Sequence, residues 1–286
     1  MPPPADMFDC LKSNPVHIYL SGWGIEMHLI SSGFARTVLA GAISTYAGLA
    51  SAHDLTIYPQ RQADSVLLTM FLGDPGDYQP IEQSQFIDLK FYKPKATTPV
   101  EIGPIKVDGN CARIATSSAA LSDDVEGTYL ISSHYDNRFA AFDANGRGYG
   151  TTKEWVRNST DSAHFIKFAK SLFAVGRSDR SYSRVLGDRL ELVPLADPFG
   201  EVIPGRTLPV RVLFDRQPLA NHKVEVGDAA AASLGQNYQT DSRGVVRVPV
   251  DHDGFYRIAV DMRAKSHYPD LYDWDDYTAS LVFRRK

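Results

Sequence analysis

The chain has 286 residues, with 30 basic and 34 acidic side chains and a formal net charge of −4. That balance, with no basic stripe, argues against a nucleic-acid partner held through its phosphates. The length supplies one large domain or two ordinary ones, enough to bury a core without disulfides.

The first segment reads as a leader. Residues Thr37 to Leu49 are apolar or small and uncharged, with Arg36 before them and Ala50-Ser51-Ala52 after them. A basic residue, a short apolar run and an A-x-A box are the order of a secretory signal. The run is too short to span a bilayer, which takes about 20 apolar residues. The residues upstream, with Pro2-Pro3-Pro4 and three acids, are foreign to a secretory n-region, and Met27 offers a more compact start. Residues 1–52 are therefore expected to be an upstream extension plus a signal peptide cut between Ala52 and His53. Their loss removes two basic and three acidic residues, leaving 234 residues with 28 basic against 31 acidic. Export to the periplasm follows as an expectation. Of the two cysteines, Cys10 lies in the removed part, so Cys111 is expected to stand alone as a small buried residue.

The new terminus has chemical consequences. An N-terminal His53 offers its α-amine and its imidazole together, which close a chelate on Ni, Cu, Co or Zn. Asp54 follows it directly.

The remaining elements read mostly as strands. Leu55 to Tyr58, Ser65 to Leu72, Phe86 to Tyr92 and Gly127 to Ser133 are apolar or alternating runs bounded by turn residues. The last of these leads into His134-Tyr135-Asp136. One helix is expected near 162–174. Asp161 serves as its N-cap, Phe165, Phe168, Ala169, Leu172 and Phe173 form one face, and Gly176 is the stop. From Gly187 onward, short alternating strands at Leu208 to Phe214, Lys223 to Val226, Val245 to Val250, Phe255 to Val260 and Thr278 to Phe283 read as a sandwich. The expected architecture is mostly β: two immunoglobulin- or transthyretin-like sandwiches, residues 53–186 and 187–286, with one helix between them or at the end of the first.

Several segments carry a family resemblance. Ala52-His53-Asp54, FAKSLFAVG (168–176), LELVPLADP (190–198), LPVRVLFD (208–215), TDSRGVVRV (240–248) and YTASLVF (277–283) resemble the bacterial family called domain of unknown function 4198. That family includes periplasmic components associated with nickel and cobalt uptake transporters. The resemblance implies a mature terminus of His followed by an acid, matched here by His53-Asp54. Many members carry a His in the late strand where this chain has Val260-Asp261-Met262, a departure.

The candidate metal ligands are His53, His134, His164 and His267. Asp54, Asp136, Asp161 and Asp273 are the supporting carboxylates or loop residues. His222 and His252 read as turn residues. No HExxH, CxxC, calcium loop, G-x-S-x-G elbow or P-loop is present. The leading expectation is a non-enzymatic, periplasmic metal-binding accessory protein. It favours Ni or Co, with Cu or Zn fitting the same donors, and it reaches the membrane only through a transporter partner. A sandwich that binds proteins without metal stands as the alternative. A copper oxidative enzyme built on an N-terminal His chelate stands behind both.

Overall fold

A computed structural model describes residues 54–62, 65–74, 77–100, 102, 105–108, 111–115, 125–200, 207–228 and 235–285. Among the described residues seventeen strands follow one another in the order β1 (Leu55–Arg61), β2 (Val66–Asp74), β3 (Asp77–Gln79), β4 (Phe86–Tyr92), β5 (Lys106–Asp108), β6 (Cys111–Ala115), β7 (Gly127–Phe142), β8 (Gly148–Tyr149), β9 (Asp161–Val175), β10 (Leu190–Pro194), β11 (Thr207–Phe214), β12 (Gln217–Pro218), β13 (Lys223–Asp228), β14 (Gln236–Gln239), β15 (Val245–Pro249), β16 (Gly254–Lys265) and β17 (Trp274–Arg285).

They form three sheets. The first runs β1-β2-β6-β5, with β3 on β2. The middle sheet runs β14-β13-β16-β17-β9-β7-β4, with β8 on β7. The third runs β10-β11-β12, with β15 on β11. The middle sheet takes strands from both sides of residue 187, because β17 returns to lie parallel to β9.

Two cores sit on the two faces of that middle sheet. Against the third sheet, Leu192, Val210, Val212, Val246 and Val248 pack on Phe168, Leu172, Ile258, Leu281 and Phe283. Against the first sheet, Leu55, Ile57, Leu68 and Met70 pack on Tyr129, Ile131, Ala169 and Val175. A satellite of Tyr58, Phe71 and Cys111 meets Phe255 and Val282 on the same side. The mostly β, sandwich-type expectation holds, with the two sandwiches sharing one sheet.

The expected helix is a strand. Residues 162–174 lie within β9, and no α-helix occurs among the described residues. The reason is double burial. Phe168 and Leu172 enter one core while Ala169 and Val175 enter the other, so the strand loses its period-2 signature and becomes a near-continuous apolar run. Such a run satisfies a helical spacing by default. Asp161 is accordingly no N-cap, and accepts a hydrogen bond from Arg263 at 2.8 Å. The first strand runs on past Tyr58, and Pro59 pairs with Leu68 on edge strand β1, where a missing N–H is tolerated. Cys111 is buried, and Cys10 lies outside the described residues.

Candidate functional site

The face of the middle sheet that looks toward the first sheet carries an unusual amount of buried charge. Arg257 on β16 is its anchor. Its guanidinium donates to Asp54 Oδ2 at 2.6 Å, to Glu225 Oε1 at 2.6 Å and to Asp74 Oδ1 at 3.3 Å. Glu225 sits on β13, which pairs with β16. Asp54, at the foot of β1, is buried. Burial pushes its carboxyl up to about 6, against the pull of the Arg257 charge.

Further along the same face lie Lys167, Asp261 and Asp276. In the ladder Phe165 pairs with Asp276 and Lys167 with Thr278, while across β16–β17 Asp261 pairs with Thr278 and Arg263 with Asp276. Side chains alternate along a strand, so Phe165, Lys167, Asp261, Arg263, Asp276 and Arg257 share one face. Lys167 is 1% exposed, and its Nζ has no hydrogen-bond partner. That nitrogen stands 5.5 Å from the centroid of the Phe165 ring. Burial lowers the Lys167 ammonium to about 8, although Asp276, Asp54, Asp261 and Asp74 all oppose the shift. Burial raises Asp276 to about 6, against Lys167 and Arg263. Arg263 Nε is 3.6 Å from Asp276 Oδ2, and Lys265 lies beyond, stacked on Trp274. On this face Asp54, Asp74, Asp161, Glu225, Asp261 and Asp276 are matched in number by Arg257, Lys167, Arg263, Lys265, Lys223 and Arg284.

The histidines expected as ligands divide differently. His134 and His164 sit on the opposite face, the side of Phe168 and the third sheet. His164 Nε2 bonds Asp136 Oδ1 at 2.8 Å, and its ring stacks on Phe139 at 4.5 Å. The N–H of Arg138 also donates to Asp136, at 3.0 Å, in a bulge where Arg138 adopts φ 63°. Burial works against the Asp136 carboxylate, but these bonds hold it below its usual range. The His134 ring lies 4.8 Å from Phe168, its Nε2 has no partner, and burial lowers its pKa. His267 lies in the exposed β16–β17 connection, 3.5 Å from Arg189. Asp273 accepts from Lys153 Nζ at 2.7 Å and from Ser162 Oγ at 2.6 Å. His53, Ala50 and Ala52 lie outside the described residues. Among the described residues no group of three or more His, Cys, Asp or Glu side chains has ligand spacing.

Sequence reading missed Arg257, Glu225, Lys167 and Asp276. The signal that could have found two of them is a cation inside an apolar strand, as in FIKFAKSLF and FYRIAV. His222, read as a turn residue, contacts the Asp261 main-chain oxygen through Nε2 at 2.6 Å.

The model of the family described as domain of unknown function (DUF4198) matches residues 50–264. No curated protein matches the chain. Among solved structures, the human OSCAR ligand-binding domain is 14% identical, with 79% of this chain and 97% of that one covered and a TM-score of 0.19. The D0-D1 domain of intimin is 13% identical, at 81% and 97% coverage and a TM-score of 0.20. The titin Ig tandem domains A164-A165 are 12% identical, at 82% and 95% coverage and a TM-score of 0.17. No helix among the described residues is long and apolar enough to cross a membrane.

Proposed function

The chain belongs to the family described as domain of unknown function 4198, and from that membership we propose that it is an exported, non-enzymatic protein that binds one divalent transition-metal ion, nickel or cobalt first, beside a membrane metal transporter. The ligands in this reading are the α-amine and imidazole of a mature N-terminal His53, with the carboxylates of Asp261 and Asp276.

One observation carries the reading. Asp54 is pinned by Arg257, which Asp74 and Glu225 share, on the face that bears Asp261 and Asp276. Residue 53 is one peptide away from Asp54, with a Cα–Cα step of about 3.8 Å. Many family members carry a His in the late strand where this chain has Val260-Asp261-Met262, and Asp261 lies on that same face. Two nitrogens and two carboxylates form a mixed set suited to borderline divalent ions. Intrinsic affinity ranks copper highest, so a preference for nickel or cobalt would rest on supply and on the transporter.

Intact mass of the protein secreted with its leader, under native conditions with Ni2+, Co2+, Cu2+ or Zn2+, tests this. The expected result is a terminus at His53 and one retained ion, lost on N-acetylation. A different terminus or no retained ion overturns it. In that case a protein-binding module becomes the better account, and Trp155 (76% exposed) and Tyr268 (63% exposed) are its natural contact residues.

A further inference from the structure

The connection between β9 and β10 helps to build a cavity. Asp179 caps a short 3-10 turn, Arg180–Ser183, by accepting from the Ser181 N–H at 3.1 Å. The same carboxylate accepts from the Thr128 N–H at 3.1 Å and from Ser181 Oγ at 3.2 Å. The chain leaving β4 turns at Lys95, which adopts a left-handed φ of 60°. The Lys95 N–H donates to Ser181 Oγ at 2.9 Å and ties that turn to the 3-10 turn. An open cavity of about 500 Å3 lies here, lined by Lys95, Asp179, Arg180, Ser181, Ser183 and Arg184. The Arg184 guanidinium stands 4.9 Å from the centroid of the Tyr92 ring, a cation–π contact that steadies it. Among the described residues, neither Lys95 Nζ nor the Arg180 guanidinium has a side-chain partner.

We propose that this cavity binds the phosphoryl group of a phosphate monoester. The proposal does not rest on the metal-binding reading. Lys95, Arg180 and Arg184 against Asp179 give the lining a net charge of +2. The one carboxylate is occupied by Thr128 and Ser181, and it pairs with none of the three cations. A phosphate monoester carries a charge of about −1.5 to −2 at pH 7 and three strong acceptor oxygens. It therefore matches two guanidiniums and one ammonium in both charge and number. A carboxylate ligand brings one charge and two oxygens, and leaves a cation unanswered. Guanidinium forks also meet phosphate through paired N–H···O bonds. The volume lies within the range of small-molecule sites, so there is room for the group that the phosphate esterifies. A soluble ester and a lipid headgroup offer the same phosphoryl chemistry.

Calorimetric titration of glycerol 3-phosphate into the protein at constant ionic strength tests this, alongside co-sedimentation with phosphatidylcholine vesicles made with and without phosphatidic acid. Saturable binding is expected, weakened about tenfold or more in Lys95→Gln and in Arg180→Gln. Both side chains are exposed, so both variants are expected to keep the Tm of the unaltered chain. Arg177→Gln removes an exposed cation outside the lining and is expected to leave binding within about twofold. Pelleting that needs phosphatidic acid and is lost in Arg180→Gln assigns the cavity to a lipid headgroup. Binding of glycerol 3-phosphate without pelleting assigns it to a soluble ester. No saturable binding of the phosphate ester in either form, or a loss in Arg177→Gln as large as in Arg180→Gln, overturns the proposal.

Discussion

Arg257 Nη2 donates to Asp54 Oδ2 at 2.6 Å across 203 positions of sequence, tying the foot of the first strand to the penultimate one. Both side chains are nearly fully buried. The pair fixes where the chain enters the fold, and so where anything attached ahead of Asp54 emerges.

Arg257→Met is therefore expected to leave Asp54, Glu225 and Asp74 without their shared cation. Removing one partner of a buried pair costs about 3–5 kcal/mol. Urea denaturation reads this directly. A loss under about 1 kcal/mol contradicts the structural weight given to Arg257 here.

The raised acids and the lowered lysine give two pH windows of opposite sign. Asp54 and Asp276 stand near 6 in the folded chain against an ordinary value of 3.8. The folded state therefore holds more protons than the unfolded one between pH 4 and 6, and their contribution falls as pH rises through that window. Asp54→Asn should flatten that part of the profile. Lys167 stands near 8 against an ordinary 10.5. The folded state therefore holds fewer protons above pH 8, and stability rises from pH 8 to 10 by up to about 1.4 kcal/mol per pH unit. Chemical denaturation across pH, compared with Lys167→Met, should show the rise in the unaltered chain only.

Lys170 and Glu191 hold the third sheet to the middle one, and Glu191 also accepts the N–H groups of Leu186 and Gly187. Glu191→Ala should cost about 3–5 kcal/mol by stranding a buried ammonium. Lys170→Met combined with Glu191→Leu should recover much of that loss, read as Tm in the single and double variants.

His134 and His164 lie on the face opposite Asp54. Replacing both with Ala is expected to leave Ni2+ binding within about twofold of the parent, while His53→Ala removes it; equilibrium dialysis separates the two sets. Sites on opposite faces that share no partners act independently.

Much of the architecture was legible in the sequence. Leu208 to Phe214 alternates because one of its faces is buried and the other is not, and it forms β11 as read. Asp161 to Val175 was misread for the converse reason, because a strand buried on both faces shows no alternation and its phenylalanines fall on helical spacing by default. The site was less legible still. His134 and His164 attract attention as residue types, yet their shared face follows from the alternation of β7 and β9, and a helical reading of residues 162–174 hides it. Lys167 and Asp276 come to one face through the parallel ladder between β9 and β17, and no local pattern encodes that register. A cation lodged in an apolar strand, as at Lys167 and Arg257, marks a buried charge but not its face, since Lys170 in the same run lies on the other side.

Anomalous diffraction at the nickel edge, from crystals of the mature protein soaked in NiCl2, tests the central claim most directly. The account predicts one strong peak on the face of β16 and β17 that bears Asp261 and Asp276, in contact with the N-terminal residue. A peak at His134 and His164 instead, or none on either face, would contradict it.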